Sequence, residues 1–528
     1  MSITQKPAPA GHSAEDTGHH DSHDLARFGY AQELKRALGV YSSFAVAFSY
    51  ISPSTGIFTL YFLGFGLAGP AFFWSWPIVI VGQLIVGLNF AELSSHFPVA
   101  GSVYQWTKYL AGKNFAWFTG WIYLFAGVLT VCAVDVTIPI VIIPLLNGLN
   151  VGINLTNNTS TQITIAVITL ISTTALNIFG VRLVAIVNNT GVVFEILGMV
   201  VFAFVLIIFF AHQSPAVLLN GHQLTVNAPP YGGSPAGVFL AAMMMSLFVV
   251  FGFDTASTLA EETKNPRREA PRAVLAAIIG AAIIGATFLF ATIIAIPGDV
   301  DKYASDTAAG AVAPPVSIIQ QMPGWAAELY LFVVAAAIYV CCLAIQTSTI
   351  RLAFGMSRDG KLPLSRYYNK VSSSLHTPIG VCLLVGVLAA IPLLYYSGAG
   401  TVAIAATGMI YLSYFLCNIA VLRARLKGWP TEKVPFKLGS WGSIVNILAL
   451  VWGGSMLINF LWPRPGTIIN PVLGALPNVP DLGPVGNIPI FEATVGAILI
   501  VGFVYWLVAQ RSAADVTPIK PAEAGATA

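Results

Sequence analysis

Long apolar segments alternate with short polar ones along this chain. Twelve apolar spans can be read, each with about 20 or more residues, the length that crosses a hydrocarbon core about 30 Å thick. Their bounds are 38–66, 70–96, 115–146, 160–179, 182–211, 236–262, 271–297, 324–356, 377–397, 399–426, 440–462 and 490–510. The pattern predicts an all-α polytopic membrane protein with twelve transmembrane helices.

Composition agrees with the hydropathy pattern. Hydrophobic residues make up 56% of the chain and charged residues 9%, whereas a soluble protein has about 25% charged residues. A net charge of +3 gives no reason to expect a nucleic-acid partner. All five cysteines lie in apolar spans, where no disulfide framework is implied. Neither a cofactor nor a resident metal is expected.

The distribution of basic residues predicts the orientation. An even number of spans puts both termini on one side, and 23 of the 25 Lys and Arg residues lie in the segments on that side. The opposite loops carry only Lys302 and Arg464, so the positive-inside rule makes both termini cytoplasmic. We expect a disordered cytoplasmic N-terminal tail at 1–36 and a cytoplasmic C-terminal tail at 511–528, with spans 11 and 12 occupying 440–510.

Two spans are interrupted at about mid-depth. Span 1 contains Ser-Pro-Ser-Thr-Gly at 52–56, and span 6 contains Gly252 and Asp254. Irregular backbone at this depth is tolerated only where protein or a water-lined cavity satisfies it, although each interruption alone can be a packing kink. Spans 1 and 6 would occupy the same position in two inverted five-span repeats, so a break in both is expected of such a fold. The repeats would be 37–211 (spans 1–5) and 236–426 (spans 6–10). The N-terminus of a half-helix attracts an anion and its C-terminus a cation, so a site between two such breaks suits a zwitterion.

Three motifs carry a family resemblance. They are GFDTASTLAEETKNPRREAPR at 252–272, AELSSHFPVAGSVYQW at 91–106 and RLAFGMSRDGKLP at 351–363. Together they resemble the amino acid–polyamine–organocation permease superfamily, and within it the bacterial amino acid permeases and the amino acid/choline branch. The resemblance implies a leucine-transporter-like fold with ten core helices in two inverted five-helix repeats, two further helices and alternating access.

The resemblance also implies a substrate site. In this family the unwound part of span 1 offers backbone N–H groups to the substrate carboxylate, which corresponds here to Ser54, Thr55, Gly56 and Ile57. The break in span 6 carries an aromatic lid, which corresponds to Phe253, while the backbone around Phe251 and Gly252 faces the substrate amine.

Three acids are candidates for a place deep in the membrane, away from the span ends, where a charge costs about 2.5–3.5 kcal/mol. Asp254 adjoins the break in span 6 and is interpreted as a proton site or as a cap of the second half-helix. Glu195 in span 5 falls where some family members have a lysine, so a lysine-based mechanism is in doubt here. Glu195 is either protonated and structural, or carries the coupling proton, or helps to hold a cation. We expect Asp135 in span 3 to reach an external vestibule rather than bind a second substrate amine.

Span 8 offers a candidate sodium site. Ala344, Thr347 and Ser348 follow an i, i+3, i+4 pattern that puts one carbonyl and two hydroxyls on one helix face. Such oxygens suit an alkali cation, but small hydroxyl residues also serve ordinary helix packing. The balance favours proton over sodium coupling. At the cytoplasmic end, Glu261 and Glu262 are expected to pair with basic neighbours such as Arg267 or Arg268.

These features predict a secondary transporter that imports an amino acid across the plasma membrane, a bacterial inner membrane, driven by a proton gradient. A choline, polyamine or γ-aminobutyrate permease and a sodium-coupled amino acid symporter are the alternatives. Apart from the bilayer, the expected partners are the small-molecule substrate and H⁺ or Na⁺. An enzyme is not expected, because the chain lacks the GxxxxGK[ST], HExxH and GxSxG patterns.

Overall fold

The computed structural model describes residues 25–150, 152, 154–395, 399–462 and 490–511. Predictions for residues 1–24, 463–489 and 512–528 lie outside these ranges. Within them the regular secondary structure is helical, apart from one parallel bridge between Leu38 and Thr263.

The helices fall into two groups in chain order. In the first group they are α1 (Val40–Ile51), α2 (Pro53–Ala68), α3 (Ser75–His96), α4 (Ser102–Ala111), α5 (Lys113–Asp135), α6 (Pro139–Gly148), α7 (Thr159–Phe179), α8 (Val181–Phe209) and α9 (His222–Val226). In the second they are α10 (Pro235–Ala242), α11 (Met244–Val249), α12 (Thr255–Thr258), α13 (Pro266–Ile294), α14 (Val300–Ala308), α15 (Val316–Ile319), α16 (Gly324–Arg358), α17 (Ser365–Tyr368), α18 (Ile379–Ala390), α19 (Ala399–Arg425), α20 (Gly442–Leu461) and α21 (Ile490–Tyr505).

The outer surface of the bundle is apolar. Among the described residues, eight helical stretches are long and apolar enough to cross a membrane, and three shorter apolar helices accompany them. Helix α8 exposes Ile186, Phe194 and Leu197 while it buries Asn188 and Glu195, the reverse of a helix at the surface of a soluble protein. The chain is therefore a multi-pass membrane protein.

The interruption predicted in span 1 is present. Helix α1 ends at Ile51, and Ser52 adopts a left-handed conformation (φ 34°, ψ 85°) before α2 starts at Pro53. Proline has no N–H to continue the hydrogen bonds of α1, but its fixed φ suits the first turn of a new helix. Local chemistry therefore creates an N-terminus inside the bundle.

Span 6 is interrupted as well, between the end of α11 at Val249 and the start of α12 at Thr255. Gly252 has a φ of +80°, and a Cβ atom there would lie 1.9 Å from the ring of Tyr50 on α1. Only glycine fits this conformation and this approach. The two interruptions therefore lie against each other.

Long helices enclose the two interruptions. Helix α5 packs along α16 and α19, α13 packs along α3 and α1, and α16 packs along α8 and α1. Span 3 differs from the prediction, because the continuous helix expected over 115–146 is divided into α5 and α6 around residues 136–138. Helix α4 was not predicted, since its ten residues include too many polar side chains to register as a span.

Residues 25–36 correct the prediction of a disordered tail. This segment buries three of its large side chains against the rest of the protein, those of Leu25, Tyr30 and Leu34. The Tyr30 hydroxyl donates to Asp359 Oδ1 at 2.8 Å, and the guanidinium of Arg358 lies 3.8 Å from the ring centroid. Burial and the charge of Asp359 raise the pKa of Tyr30, so the phenol stays protonated. We call residues 25–38 the N-terminal segment, and the end of the bundle that it covers the N-terminal side.

Candidate functional site

The N-terminus of α2 is the centre of the candidate site, and its first backbone donors are all in use. Ser54 N lies 3.3 Å from Glu195 Oε1, Thr55 N lies 3.4 Å from Ser52 Oγ, and Gly56 N donates to Ser52 O at 3.1 Å. Ser54, Thr55 and Gly56 are buried, as is the fourth residue predicted for the carboxylate pocket, Ile57. The donors that an incoming carboxylate would need are satisfied within the chain in this conformation.

Glu195 provides the carboxylate at this helix end. Its side chain is 1% exposed, and Oε1 accepts from Ser52 Oγ at 2.7 Å and from Ser54 Oγ at 2.6 Å. When the carboxyl group is ionised, such bonds are charge-assisted and about twice as strong as neutral ones. The sequence indicated a buried acid on span 5 but not its partners. The two serines that flank Pro53 were the available signal.

Asp254 lies beside the other interruption and is fully buried. Its carboxylate accepts from Tyr123 Oη at 2.8 and 2.7 Å, from Ser102 Oγ at 2.7 Å and from Tyr414 Oη. Tyr414 Oη in turn accepts from Gly252 N at 2.9 Å. One carboxylate thus joins the span 6 break to α4, α5 and α19.

The interpretation of the Asp254 side chain as a helix cap is wrong for this structure. Asp254 occupies the N-cap position of α12, but its side chain makes no capping bond there. Its carbonyl oxygen instead accepts from Ser257 N at 2.8 Å and Thr258 N at 2.9 Å. Three hydroxyl donors from other helices draw the carboxylate away from the α12 N-terminus. Sequence reasoning missed these donors, because phenols on distant spans leave no local pattern.

The aromatic residues of the span 6 break have different neighbours. Phe253 packs against Phe90 and Tyr414, with ring centroids 5.8 and 5.4 Å apart, so it faces α3 and α19. Phe251 packs against Tyr50 of α1 at 6.1 Å. The aromatic side chain of the break that contacts span 1 is therefore Phe251, whereas the resemblance assigned the lid to Phe253.

Gly56 and Val249 hold the two interrupted spans close together. A Cβ atom on Gly56 would lie 2.4 Å from Val249 Cγ2 on α11. We expect Gly56→Ala to cost about 1–3 kcal/mol of stability by overpacking and to reduce uptake. The double variant Gly56→Ala/Val249→Ala should recover most of the loss. Gly39→Ala is the control, because a Cβ atom there meets nothing within 4 Å. Equal uptake by all three variants would contradict the close approach.

The three residues of the candidate sodium site have different surroundings. Thr347 Oγ1 donates to Asn177 Oδ1 on α7 at 2.8 Å, whereas Ser348 Oγ lies 3.3 Å from Thr255 Oγ1 beside the span 6 break. Ala344 is fully buried. The hydroxyl of Thr347 therefore serves contact between α16 and α7, and the two hydroxyls do not converge as the spacing suggested.

Asp135 corrects another expectation. Its side chain is 0% exposed, so it does not reach an external vestibule. Among the described residues, no hydroxyl, amide or amine group donates to its carboxylate oxygens. The end of α5 and the turn after it hold Asp135 inside the bundle, where the side chain cannot extend to water.

Glu261 and Glu262 belong to a network of ion pairs on the N-terminal side, as expected. Their partners are not the expected Arg267 or Arg268. Arg358 binds Glu261 at 2.7 Å, and Arg351 binds Glu262. The expected partner Arg267 instead pairs with Glu432 at 3.0 Å. Two further buried pairs belong to the network, Lys108–Asp359 and Arg425–Glu92. The basic partners of Glu261 and Glu262 lie on α16, which the sequence alone could not bring to span 6.

A membrane-embedded helical bundle with two opposed helix interruptions and buried acids at both is characteristic of a solute transporter rather than an enzyme. The amino acid permease family profile matches residues 38–476. The chain belongs to this family, and thus to the amino acid–polyamine–organocation superfamily of transporters.

Several amino-acid permeases are similar over most of the chain. The amino-acid permease BAT1 homolog of Oryza sativa subsp. japonica is 28% identical over 96% of this chain and 98% of its own. Amino-acid permease BAT1 of Arabidopsis thaliana is 26% identical, covering 92% of this chain and 94% of its own. The branched-chain amino acid permease BcaP of Bacillus subtilis is 29% identical over 68% of this chain and 75% of its own.

Proposed function

We propose that this permease imports an amino acid across the plasma membrane by alternating access, driven by a proton gradient. The proposed architecture is leucine-transporter-like, with twelve transmembrane helices, two inverted five-helix repeats and both termini in the cytoplasm. The observation that carries the proposal is the direct approach of the two helix interruptions at Gly252 and Tyr50, next to a half-helix whose N-terminus already binds a carboxylate.

The substrate groups are assigned from the chemistry of the two interruptions. The N-terminus of α2, at Ser54, Thr55, Gly56 and Ile57, has the positive end of the helix dipole and suits the substrate carboxylate. The backbone of the span 6 break, around Phe251, Gly252 and Phe253, is assigned to the amine, and the Gly252 carbonyl, which accepts from Thr255 N at 3.0 Å, would exchange that bond for one to the amine. Names of similar permeases support an amino acid as the substrate class.

Glu195 is the proposed proton carrier. It is buried, and its carboxylate contacts the same half-helix that is assigned to the substrate. Asp254 is also buried, but three hydroxyl groups hold it between four helices, which suits a structural group better than one that changes its charge.

The alternatives make different demands on the chain. Sodium coupling would use Ala344, Thr347 and Ser348, and it would require Thr347 to leave Asn177. A choline or polyamine permease would have no use for a carboxylate site at α2. A γ-aminobutyrate permease would use that site, but with a longer separation between carboxylate and amine.

Uptake into proteoliposomes tests the proposal. The purified full-length chain should accumulate a tritiated mixture of the proteinogenic amino acids when an inward proton gradient is imposed, and a protonophore should abolish accumulation. Tritiated choline, putrescine and γ-aminobutyrate serve as comparisons in the same vesicles. Accumulation driven by an inward sodium gradient at constant pH would refute proton coupling, and uptake of choline or putrescine alone would refute the substrate class.

A further inference from the structure

The carboxylate at the N-terminus of α2 belongs to the protein itself. Glu195 Oε1 accepts hydrogen bonds from Ser54 N and from the hydroxyls of Ser52 and Ser54. If the proposed function holds, a substrate carboxylate must use the same helix end. The donors at the N-terminus of α2 could then bind either the carboxylate of Glu195 or that of the substrate.

Among the described residues, no basic side chain forms an ion pair with Glu195. Helices α1 and α7, which pack against α8, contain no charged residue, and the charged residues of α13 lie within 267–272, at its first turns. Helix α16 carries Glu328, Arg351 and Arg358, and its two arginines pair with Glu262 and Glu261. The titratable groups facing Glu195 are Tyr330 and Cys341, both on α16. The Tyr330 hydroxyl is buried without a hydrogen-bond partner among the described residues. In the part of the chain that the structure describes, the hydrogen bonds to Glu195 therefore come from the serines and the helix end.

Two ionised carboxylates cannot share one such site. Like charges about 3 Å apart in a desolvated site force one carboxyl group to hold a proton. We propose that Glu195 and the substrate carboxylate compete for the N-terminus of α2, so that the substrate binds only when Glu195 takes up a proton. One proton then enters with each carboxylate, and proton coupling arises from the binding step itself.

The proposal predicts a pH-dependent affinity. An obligatory proton weakens apparent binding by up to about tenfold for each pH unit above the pKa of its carrier. Binding of the tritiated amino acid mixture to purified protein is measured between about pH 5 and about pH 8, where histidine is the only other side chain with an ordinary pKa inside the range. Wild-type affinity should fall as the pH rises. Decarboxylated analogues of the bound amino acids should show no such fall, because they do not displace Glu195.

Glu195→Gln tests the role of the charge. The amide keeps the hydrogen bonds to Ser52 and Ser54 but cannot repel a carboxylate, so binding should lose its pH dependence and match wild-type binding at low pH. Asp135→Asn is the matched control, since Asp135 is equally buried but has no hydrogen bond to α2. It should retain the wild-type profile. A Glu195→Gln variant with the wild-type pH profile, or one that is folded and binds nothing, overturns the proposal.

Ser54→Ala provides a second test that leaves Glu195 in place. Removing the 2.6 Å bond from Ser54 Oγ destabilises the ionised carboxylate, so the midpoint of the pH profile should move to higher pH. An unmoved midpoint contradicts the competition. Failure of this inference is distinct from failure of the proposed function: amino acid binding that is independent of pH rejects only the competition, whereas absence of amino acid binding and uptake in the wild type rejects both.

Discussion

Arg351→Met is expected to lower the free energy of unfolding by about 3–5 kcal/mol, because it leaves a buried carboxylate without its partner. Arg351 and Glu262 are each 1% exposed, and the guanidinium donates to both carboxylate oxygens. The carbonyl of Glu262 also accepts from Ala37 N at 3.0 Å and Leu38 N at 2.9 Å. The pair therefore joins α16 to the end of span 6 and to the N-terminal segment. Thermal unfolding of the protein in detergent measures the effect.

Two further variants separate the effect of the unpaired buried charge from the effect of losing the arginine side chain. In Arg351→Met/Glu262→Gln no charge stays buried alone, so much of the stability should return. Arg27→Gln removes one arginine from the exposed pair with Glu432, whose side chains are 44% and 38% exposed, and should cost less than about 1 kcal/mol. If the double variant is no more stable than Arg351→Met, an uncompensated Glu262 charge is not the cause.

Asp254→Ala is expected to abolish uptake and to reduce the yield of folded protein. The substitution leaves the hydroxyls of Ser102, Tyr123 and Tyr414 without their acceptor, at a cost of about 1–3 kcal/mol for each buried group. The contact from Tyr414 to Gly252 N would loosen at the same time, which releases the span 6 break. Uptake into proteoliposomes and the melting temperature report the two effects.

Asp254→Asn distinguishes a structural acid from a proton carrier. Asparagine keeps the shape and one acceptor oxygen, and the hydroxyl groups can rotate to accept from its amide. We therefore expect a lower melting temperature but continued proton-driven uptake. A variant that still exchanges substrate across the membrane but no longer concentrates it under a proton gradient would instead make Asp254 the coupling group.

The helix interruptions could be predicted because their causes are local. Pro53 cannot extend α1, and Gly252 permits a backbone conformation that other residues avoid, so the sequence itself indicates both breaks. Long apolar spans likewise predict membrane helices without knowledge of their neighbours. The family resemblance supplied what local chemistry could not, namely an expectation of which backbone groups face a substrate.

The partners of the buried acids could not be predicted in the same way. Glu195 and Ser54 are 141 positions apart, and Asp254 and Tyr414 are 160 apart. Charge alone pointed to Arg267 as the partner of Glu261, but packing brings Arg358 there instead. Such pairings depend on helix packing angles and rotations, which hydropathy does not specify.

The N-terminal segment has a practical consequence for handling this protein. Its contacts begin at Leu25 and end at Leu38, where the backbone pairs with Thr263. Removal of residues 1–24 would keep the described contacts of this segment, whereas removal of residues 1–38 would delete the segment that ties α1 to the end of span 6. Affinity tags and fluorescent fusions therefore belong ahead of Leu25.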